Sequence, residues 1–176
     1  MKLNSQDVIL GILMHESISG YDIKHKFETI FSYFYNASYG TIYPTLGKME
    51  KDGLITKMSV MQEGKPNKNV YTITEEGKRS FHQYLYSEIQ DNEMKSDFLV
   101  RLHFGEMAEP GLVRHWLEKG LQKAEEELKK IKADEQRYKP YMSPTQEICI
   151  EIGITNKENV LRILKDKLSK LKSMEP

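Results

Sequence analysis

Tyr39-Gly40-Thr41-Ile42-Tyr43-Pro44-Thr45-Leu46, continuing through Lys48, Met49, Glu50 and Lys51 to Asp52-Gly53-Leu54, is the stretch on which the reading of this chain turns. Ile42, Leu46 and Met49 fall on one side of a short helix that begins after Ser38 and stops at Gly53. The other side carries Tyr39, Thr41, Tyr43, Thr45 and Lys48. Aromatic, hydroxyl and amine groups on one exposed face suit phosphate oxygens and base edges in a DNA groove, so a recognition helix is expected here.

Upstream, Asn4 or Ser5 can cap a helix over about residues 6–15 whose nearly all-apolar surface requires burial. Ser19-Gly20-Tyr21-Asp22 pairs a capping hydroxyl with a carboxylate three residues on, and Ile23, Phe27, Ile30 and Phe34 then repeat at helical spacing. Asn36-Ala37-Ser38 interrupts the pattern. Two helices joined by a short polar turn make a helix-turn-helix, although an ordinary helical hairpin fits these segments equally well.

The downstream side shifts the balance between them. Residues 54–60 and 69–73 read as two strands, rich in β-branched and aromatic residues. Between them Gln62-Glu63-Gly64-Lys65-Pro66-Asn67-Lys68 reads as a cationic hairpin tip, suited to lie along a phosphate backbone beside the groove. Thr74 caps a further helix expected to reach about Ile89, with Phe81, Tyr84, Leu85 and Ile89 on its apolar side. Three helices, a hairpin and a helix form the order of a winged helix.

Charge gives this reading no general support. The 176 residues hold 26 basic and 26 acidic side chains, and residues 1–91 hold ten and eleven. A basic DNA footprint must therefore arise locally, as in Lys48, Lys51, Lys57, Lys65 and Lys68 against Glu50, Asp52 and Glu63. The single Cys149 forms no internal disulfide, and the apolar run at 8–14 is too short to span a bilayer, so a cytoplasmic protein with no membrane association is expected.

In the second half, residues 91–96 are polar and mark a junction, giving a domain at 1–91, a linker at 92–97 and a helical domain at 98–176. Pro110 can open a helix with Val113, Leu117, Leu121, Ala124, Leu128 and Ile131 on one face. Glu125, Glu126, Lys129 and Lys130 on its outer face are spaced to pair at i,i+4. Ser143-Pro144-Thr145-Gln146 starts a last helix, whose far end carries Leu161, Leu164, Leu168 and Leu171 as a coiled-coil-like seam. Two helices alone are not expected to bury both stripes, which favours a homodimer. Ile148, Ile150, Ile152 and Ile154 alternate as a strand would, against the helix start upstream.

Catalytic and metal chemistry find no constellation. The five histidines at 15, 25, 82, 103 and 115 are scattered singly, and Cys149 between isoleucines reads as a small core residue. No cofactor and no metal are expected. Tyr21, Phe31, Tyr35 and Trp116 could line an aromatic pocket for a small effector, while core packing explains most aromatic residues of the second helix equally well.

Five motifs in order carry a family resemblance: Ile9-Leu10-Gly11-Ile12-Leu13, Ser19-Gly20-Tyr21-Asp22-Ile23, Gly40-Thr41-Ile42-Tyr43-Pro44-Thr45-Leu46, Glu50-Lys51-Asp52-Gly53-Leu54-Ile55 and Val70-Tyr71-Thr72-Ile73-Thr74-Glu75-Glu76-Gly77. Together they resemble the PadR family of bacterial transcriptional regulators, and Phe98-Leu99-Val100-Arg101-Leu102-His103-Phe104-Gly105 is similar to the opening of that family's C-terminal domain. The resemblance implies a mainly α chain with a small β-hairpin wing, an N-terminal winged helix-turn-helix domain and a C-terminal α-helical dimerisation domain. It makes residues 148–154 helical, with a kink allowed near Gly153. It places Ser38, Tyr39, Gly40, Thr41, Tyr43, Pro44 and Lys48 in a DNA-reading helix, and Lys65, Pro66 and Lys68 in the wing.

The expected protein is thus a homodimeric repressor bound to double-stranded, pseudo-palindromic operator DNA, and not an enzyme. In the family some members respond to phenolic acids or hydrophobic drugs, which implies an effector of that kind. This sequence differs from many relatives in having Asn67 between the wing's Pro66 and Lys68, and its one Trp, Trp116, before the final helix. A winged-helix module that binds a protein partner and no DNA is the alternative.

Overall fold

Asn4 opens the chain's first helix, α1 (Ser5–Leu13): its side chain accepts from the Gln6 and Asp7 N–H groups, and Asp7 accepts in return from the Asn4 N–H at 3.1 Å. This closes a reciprocal cap and buries one face of the helix behind it. The computed structural model describes residues 3–35, 39–62, 65–91 and 95–174, with the backbone alone at Tyr39, Gln62, Lys65, Pro66, Pro110 and 172–174. The chain divides into two compact units, Met1–Asn92 and Glu93–Pro176.

In the first unit, β1 (Ile18–Ser19) leads into α2 (Gly20–Thr29), followed by α3 (Ile42–Lys51), the hairpin β2 (Ile55–Gln62) and β3 (Lys65–Ile73), and α4 (Glu75–Leu85). The three strands pair antiparallel in the order β1-β3-β2. The two-residue β1, too short to leave a periodicity, ties the start of α2 to the hairpin through Ile18 opposite Tyr71 and Ser19 opposite Val70. Ile9, Leu10, Ile23, Phe27, Ile42, Leu46, Met49 and Ile55 are fully buried together. Each such side chain contributes about 1.5–3 kcal/mol by leaving water, so this cluster fixes the position of α3.

Several expected boundaries move. The helical spacing that included Ile30 and Phe34 breaks because α2 ends at Thr29 and a tighter turn over Phe31–Tyr33 follows, which exposes both residues. That turn brings Phe31 and Tyr35 back onto Phe27, at ring separations of 5.9 and 6.0 Å. The last helix of the unit stops at Leu85, where the Ser87 hydroxyl donates to the Tyr84 carbonyl. Leu85 and Ile89, expected on its apolar side, are exposed, Ile89 at 96%. Phe81 is the last residue of this helix that packs against the core.

The hairpin strands extend further than residues 54–60 and 69–73. Lys65, Pro66, Asn67 and Lys68 lie in β3 rather than in a turn, and the residues between the strands, 63 and 64, fall outside the described ones. Val60 pairs with Lys68 and Gln62 with Lys65, so Met61 faces the two residues Pro66 and Asn67 in a bulge. A bulge accommodates a proline that has no N–H to give the ladder.

The second unit is helical: α5 (Asp97–His103), α6 (Pro110–Tyr138) and α7 (Pro144–Met174). Ser96, inside the segment read as a linker, caps α5 by accepting from the Leu99 N–H at 3.2 Å. Ser143 and Gln146 form the expected reciprocal cap of α7. Residues 148–154 are helical within an unbroken α7. Gly153 stands where a Cβ would lie 2.7 Å from Cδ1 of Ile131, so the glycine is there for the close approach of α6.

Leu161, Leu164 and Leu168 of the leucine seam are buried inside the unit with a third helix packed over them, while Leu171 is exposed. Leu164 and Leu168 pack with Leu117, and Phe98, Leu102, Val113 and Leu121 close over them, α5 supplying the missing cover. Leu161, Ala124 and Ile131 are also buried. Ion pairs cross between the helices: Glu125 with Lys165 at 2.8 Å, Glu158 with Lys132 at 2.5 Å, and Glu127 with Lys157. Glu125 thus meets α7 instead of Lys129 on its own helix. Surface pairs of this kind contribute under about 1 kcal/mol each, so the apolar layer holds the helices together.

Candidate nucleic-acid interface

The start of α3 follows a tight turn over Tyr39–Thr41, and its end is set by Gly53, whose φ of 73° is left-handed and strained for any other common residue. Between these ends Ile42, Leu46 and Met49 have no exposure, while Thr41, Tyr43, Pro44, Gly47, Lys48 and Lys51 are exposed. Pro44 occupies the third position of the helix, where no intrahelical bond needs its missing N–H. Ser38 and the side chain of Tyr39 lie outside the described residues.

Tyr43 is held from below. A Cβ on Gly20 would meet Tyr43 Cε1 at 2.9 Å, Tyr71 Cε2 at 3.4 Å and Leu46 Cδ1 at 3.5 Å, so the glycine is the point where α2, α3 and β3 touch. Tyr71 is buried, and burial raises the pKa of its hydroxyl. Opposite Tyr71 on β2, Lys57 reaches Glu50 of α3 at 2.9 Å, and that hydrogen bond raises the pKa of the ammonium.

On the wing, Lys68 lies 3.0 Å from Asp22. Asp22 also accepts from the Ser19 hydroxyl at 2.6 Å while its own N–H donates back to that oxygen at 3.2 Å. The Ser19 hydrogen bond first, and Lys68 after it, hold the Asp22 carboxyl below its ordinary range, against a partial opposing effect of burial. Lys65 and Pro66 lie on the same strand, with side chains outside the described set.

Of the face read from the sequence, Thr41, Tyr43 and Lys48 are exposed and Thr45 is half-buried, and Pro44, which the resemblance added, is exposed beside them. Gly20, Asp22, Glu50 and Tyr71, which support that face and the wing, were not read as binding residues, and Lys57 counted only toward the local lysine excess. All of them except Lys57 fall within the motifs that carry the family resemblance.

The four aromatic residues read as a pocket are distributed over both units. Phe31 and Tyr35 pack against the first unit's core, with the Tyr35 hydroxyl 3.1 Å from Ser5 Oγ. Tyr21 is exposed. Trp116 is half-buried in the second unit, with the Arg101 guanidinium 5.8 Å from its ring centre. Among the described residues no group of three or more His, Cys, Asp or Glu could hold a metal, and no helix is long and apolar enough to cross a membrane.

Residues 9–83 match the PadR-like transcriptional regulator family, and residues 94–172 match the C-terminal domain of virulence activator alpha. The negative transcriptional regulator PadR of Bacillus subtilis is 35% identical over 98 residues, which are 54% of this chain and 53% of that protein. The chain spans about half the length of the curated relatives it matches. A PadR-like transcriptional regulator from Bacillus cereus has a structure with a TM-score of 0.90 and 32% identity, covering 98% of this chain and 100% of that one. Bacillus subtilis PadR solved in complex with operator DNA has a TM-score of 0.80 and 25% identity, covering 94% of this chain and 98% of that one. With its helices, its small antiparallel sheet and the exposed face of α3 in place, this chain belongs to the PadR-like family of transcriptional regulators.

Proposed function

We propose that this protein is a sequence-specific DNA-binding repressor that works as a homodimer in the cytoplasm. The observation that carries the proposal is the division of α3: Ile42, Leu46 and Met49 anchor it, and Thr41, Tyr43, Pro44 and Lys48 stand opposite, beside a hairpin. Such a helix fits the major groove, with Tyr43 and Lys48 toward base edges and phosphates, and with Ser38, Tyr39 and Gly40 at its entry. Lys65, Pro66 and Lys68 run along the adjoining backbone. The Bacillus subtilis relative that is named a negative regulator, and was solved on operator DNA, supports repression at an operator, and a pseudo-palindromic site follows from the proposed two-fold pair.

The dimer reading now rests on different residues from the leucine seam. With Leu161, Leu164 and Leu168 used internally, α7 still exposes Ile148, Ile152, Val160 and Ile163, and a second copy covering them would double the DNA contacts. Paired recognition helices read half-sites about 34 Å apart. A small aromatic or hydrophobic effector is part of the proposal, with Tyr21, Phe31, Tyr35 and Trp116 as the residues to test. Trp116 is the one tryptophan, so its fluorescence under titration with a phenolic acid reports binding directly.

The experiment is to measure binding to the DNA just upstream of the protein's own coding region, against a scrambled duplex, at several salt concentrations. Preference for the upstream duplex, lost in Tyr43→Ala and Lys48→Ala variants that melt normally, supports the proposal. Absence of binding to either duplex at low salt overturns it in favour of a protein-binding winged helix, the reading that the chain's neutral charge favours.

A further inference from the structure

We propose that Asp22 and Glu50 form an intramolecular brake on DNA binding, competing with phosphate for the ammonium groups of Lys68 and Lys57. The inference rests on the assignment of α3 and the wing as a DNA-reading face.

Sequence-independent affinity for DNA comes from cations that neutralise phosphates and release counterions. In this chain such cations are scarce, because the first 91 residues carry no basic excess. Of the four lysines on α3 and the hairpin whose side chains are described, two are already engaged: Lys57 with Glu50 at 2.9 Å and Lys68 with Asp22 at 3.0 Å. Neither is a pair between neighbours on one helix surface. Each runs from a helix to the hairpin, Glu50 from α3 to β2 and Asp22 from α2 to β3.

Asp22 is held in place by Ser19, whose hydroxyl donates to the same oxygen that Lys68 approaches. Lys57 lies opposite Tyr71, which borders the Gly20 contact that seats Tyr43, so this pair adjoins the proposed reading face. A phosphate that captures either lysine must displace a carboxylate and then leave that negative charge beside the DNA backbone. Both effects reduce the gain from the contact. A carboxylate that merely oriented the lysine toward DNA would do the opposite, and its removal would weaken binding.

The test uses the full chain, an operator duplex and a scrambled duplex, with Asp22→Asn, Glu50→Gln and Glu88→Gln compared with wild type. Asparagine at 22 retains an oxygen to accept from Ser19, and Glu88 lies on neither α3 nor the hairpin, so it controls for net charge. The brake predicts that Asp22→Asn and Glu50→Gln each raise affinity for both duplexes by roughly three- to tenfold at low salt. It also predicts that each steepens the salt dependence by up to about one unit, well beyond the effect of Glu88→Gln.

Weaker or unchanged binding by both variants, with normal melting and wild-type binding intact, overturns the brake and leaves the DNA assignment standing. Should Asp22→Asn fail to fold, Glu50→Gln decides alone, since it touches no helix cap. Failure of every form to bind either duplex overturns the DNA assignment and the brake with it.

Discussion

A Cβ placed on Gly20 would lie 2.9 Å from Cε1 of Tyr43, closer than side-chain carbons pack. The start of α2 and the exposed face of α3 are therefore fitted to each other. Tyr43 is 53% exposed, so its ring can move aside, and Gly20→Ala is expected to leave the fold intact with a small change in melting temperature. Operator affinity is expected to fall about tenfold, since one well-placed contact is worth about 1–3 kcal/mol. Melting and binding curves on the same preparation check this, and unchanged affinity would remove Tyr43 from the reading face.

Leu46 has no exposure and belongs to the cluster that anchors α3. Leu46→Ala is expected to destabilise the first unit by about 3 kcal/mol through lost burial and the cavity left behind. Urea unfolding followed by far-UV circular dichroism measures it. A loss below 1 kcal/mol would mean that the helix is not anchored by this core.

Asp7 is buried in α1, and its Oδ1 has no hydrogen-bond partner among the described residues. Burial holds this carboxyl above its ordinary range, outweighing the Asn4 N–H that donates to Oδ2. The folded protein thus takes up the proton more readily than the unfolded chain. The ionised form costs stability at neutral pH, and the cost disappears as pH falls through the raised value. Asp7→Asn is expected to raise the melting temperature at pH 7, with the gain shrinking on acidification. The hydroxyl of Tyr84, raised chiefly by burial and then by the Asp7 charge, should titrate at lower pH in the variant. A gain independent of pH would show that charge is not its cause.

Ile152 lies on α7 and is 56% exposed. If a second copy covers this face, Ile152→Lys is expected to yield a monomer in sedimentation velocity while the helical content is unchanged. An unaltered sedimentation coefficient would place the dimer surface elsewhere.

The sequence alone determined the elements whose signals are local. A three-to-four residue apolar spacing with a glycine at its end defined α3, because burial and a left-handed C-terminus leave direct marks on composition. Ser19 with Asp22, Thr74 and Ser143 with Gln146 announced helix starts for the same reason. The tertiary structure decided what depends on partners far along the chain. It ended α2 at Thr29 so that Phe31 and Tyr35 could return to Phe27, stopped α4 at Leu85 beyond the reach of the core, and added β1, which exists only through its pairing with β3. Residues 148–154 are helical, as the cap upstream and the resemblance implied against their alternation, and only the structure shows Gly153 admitting Ile131. It also joined Lys68 to Asp22 and Lys57 to Glu50, which no local pattern reveals, because electrostatic partners are set by distance in space and not by separation in sequence.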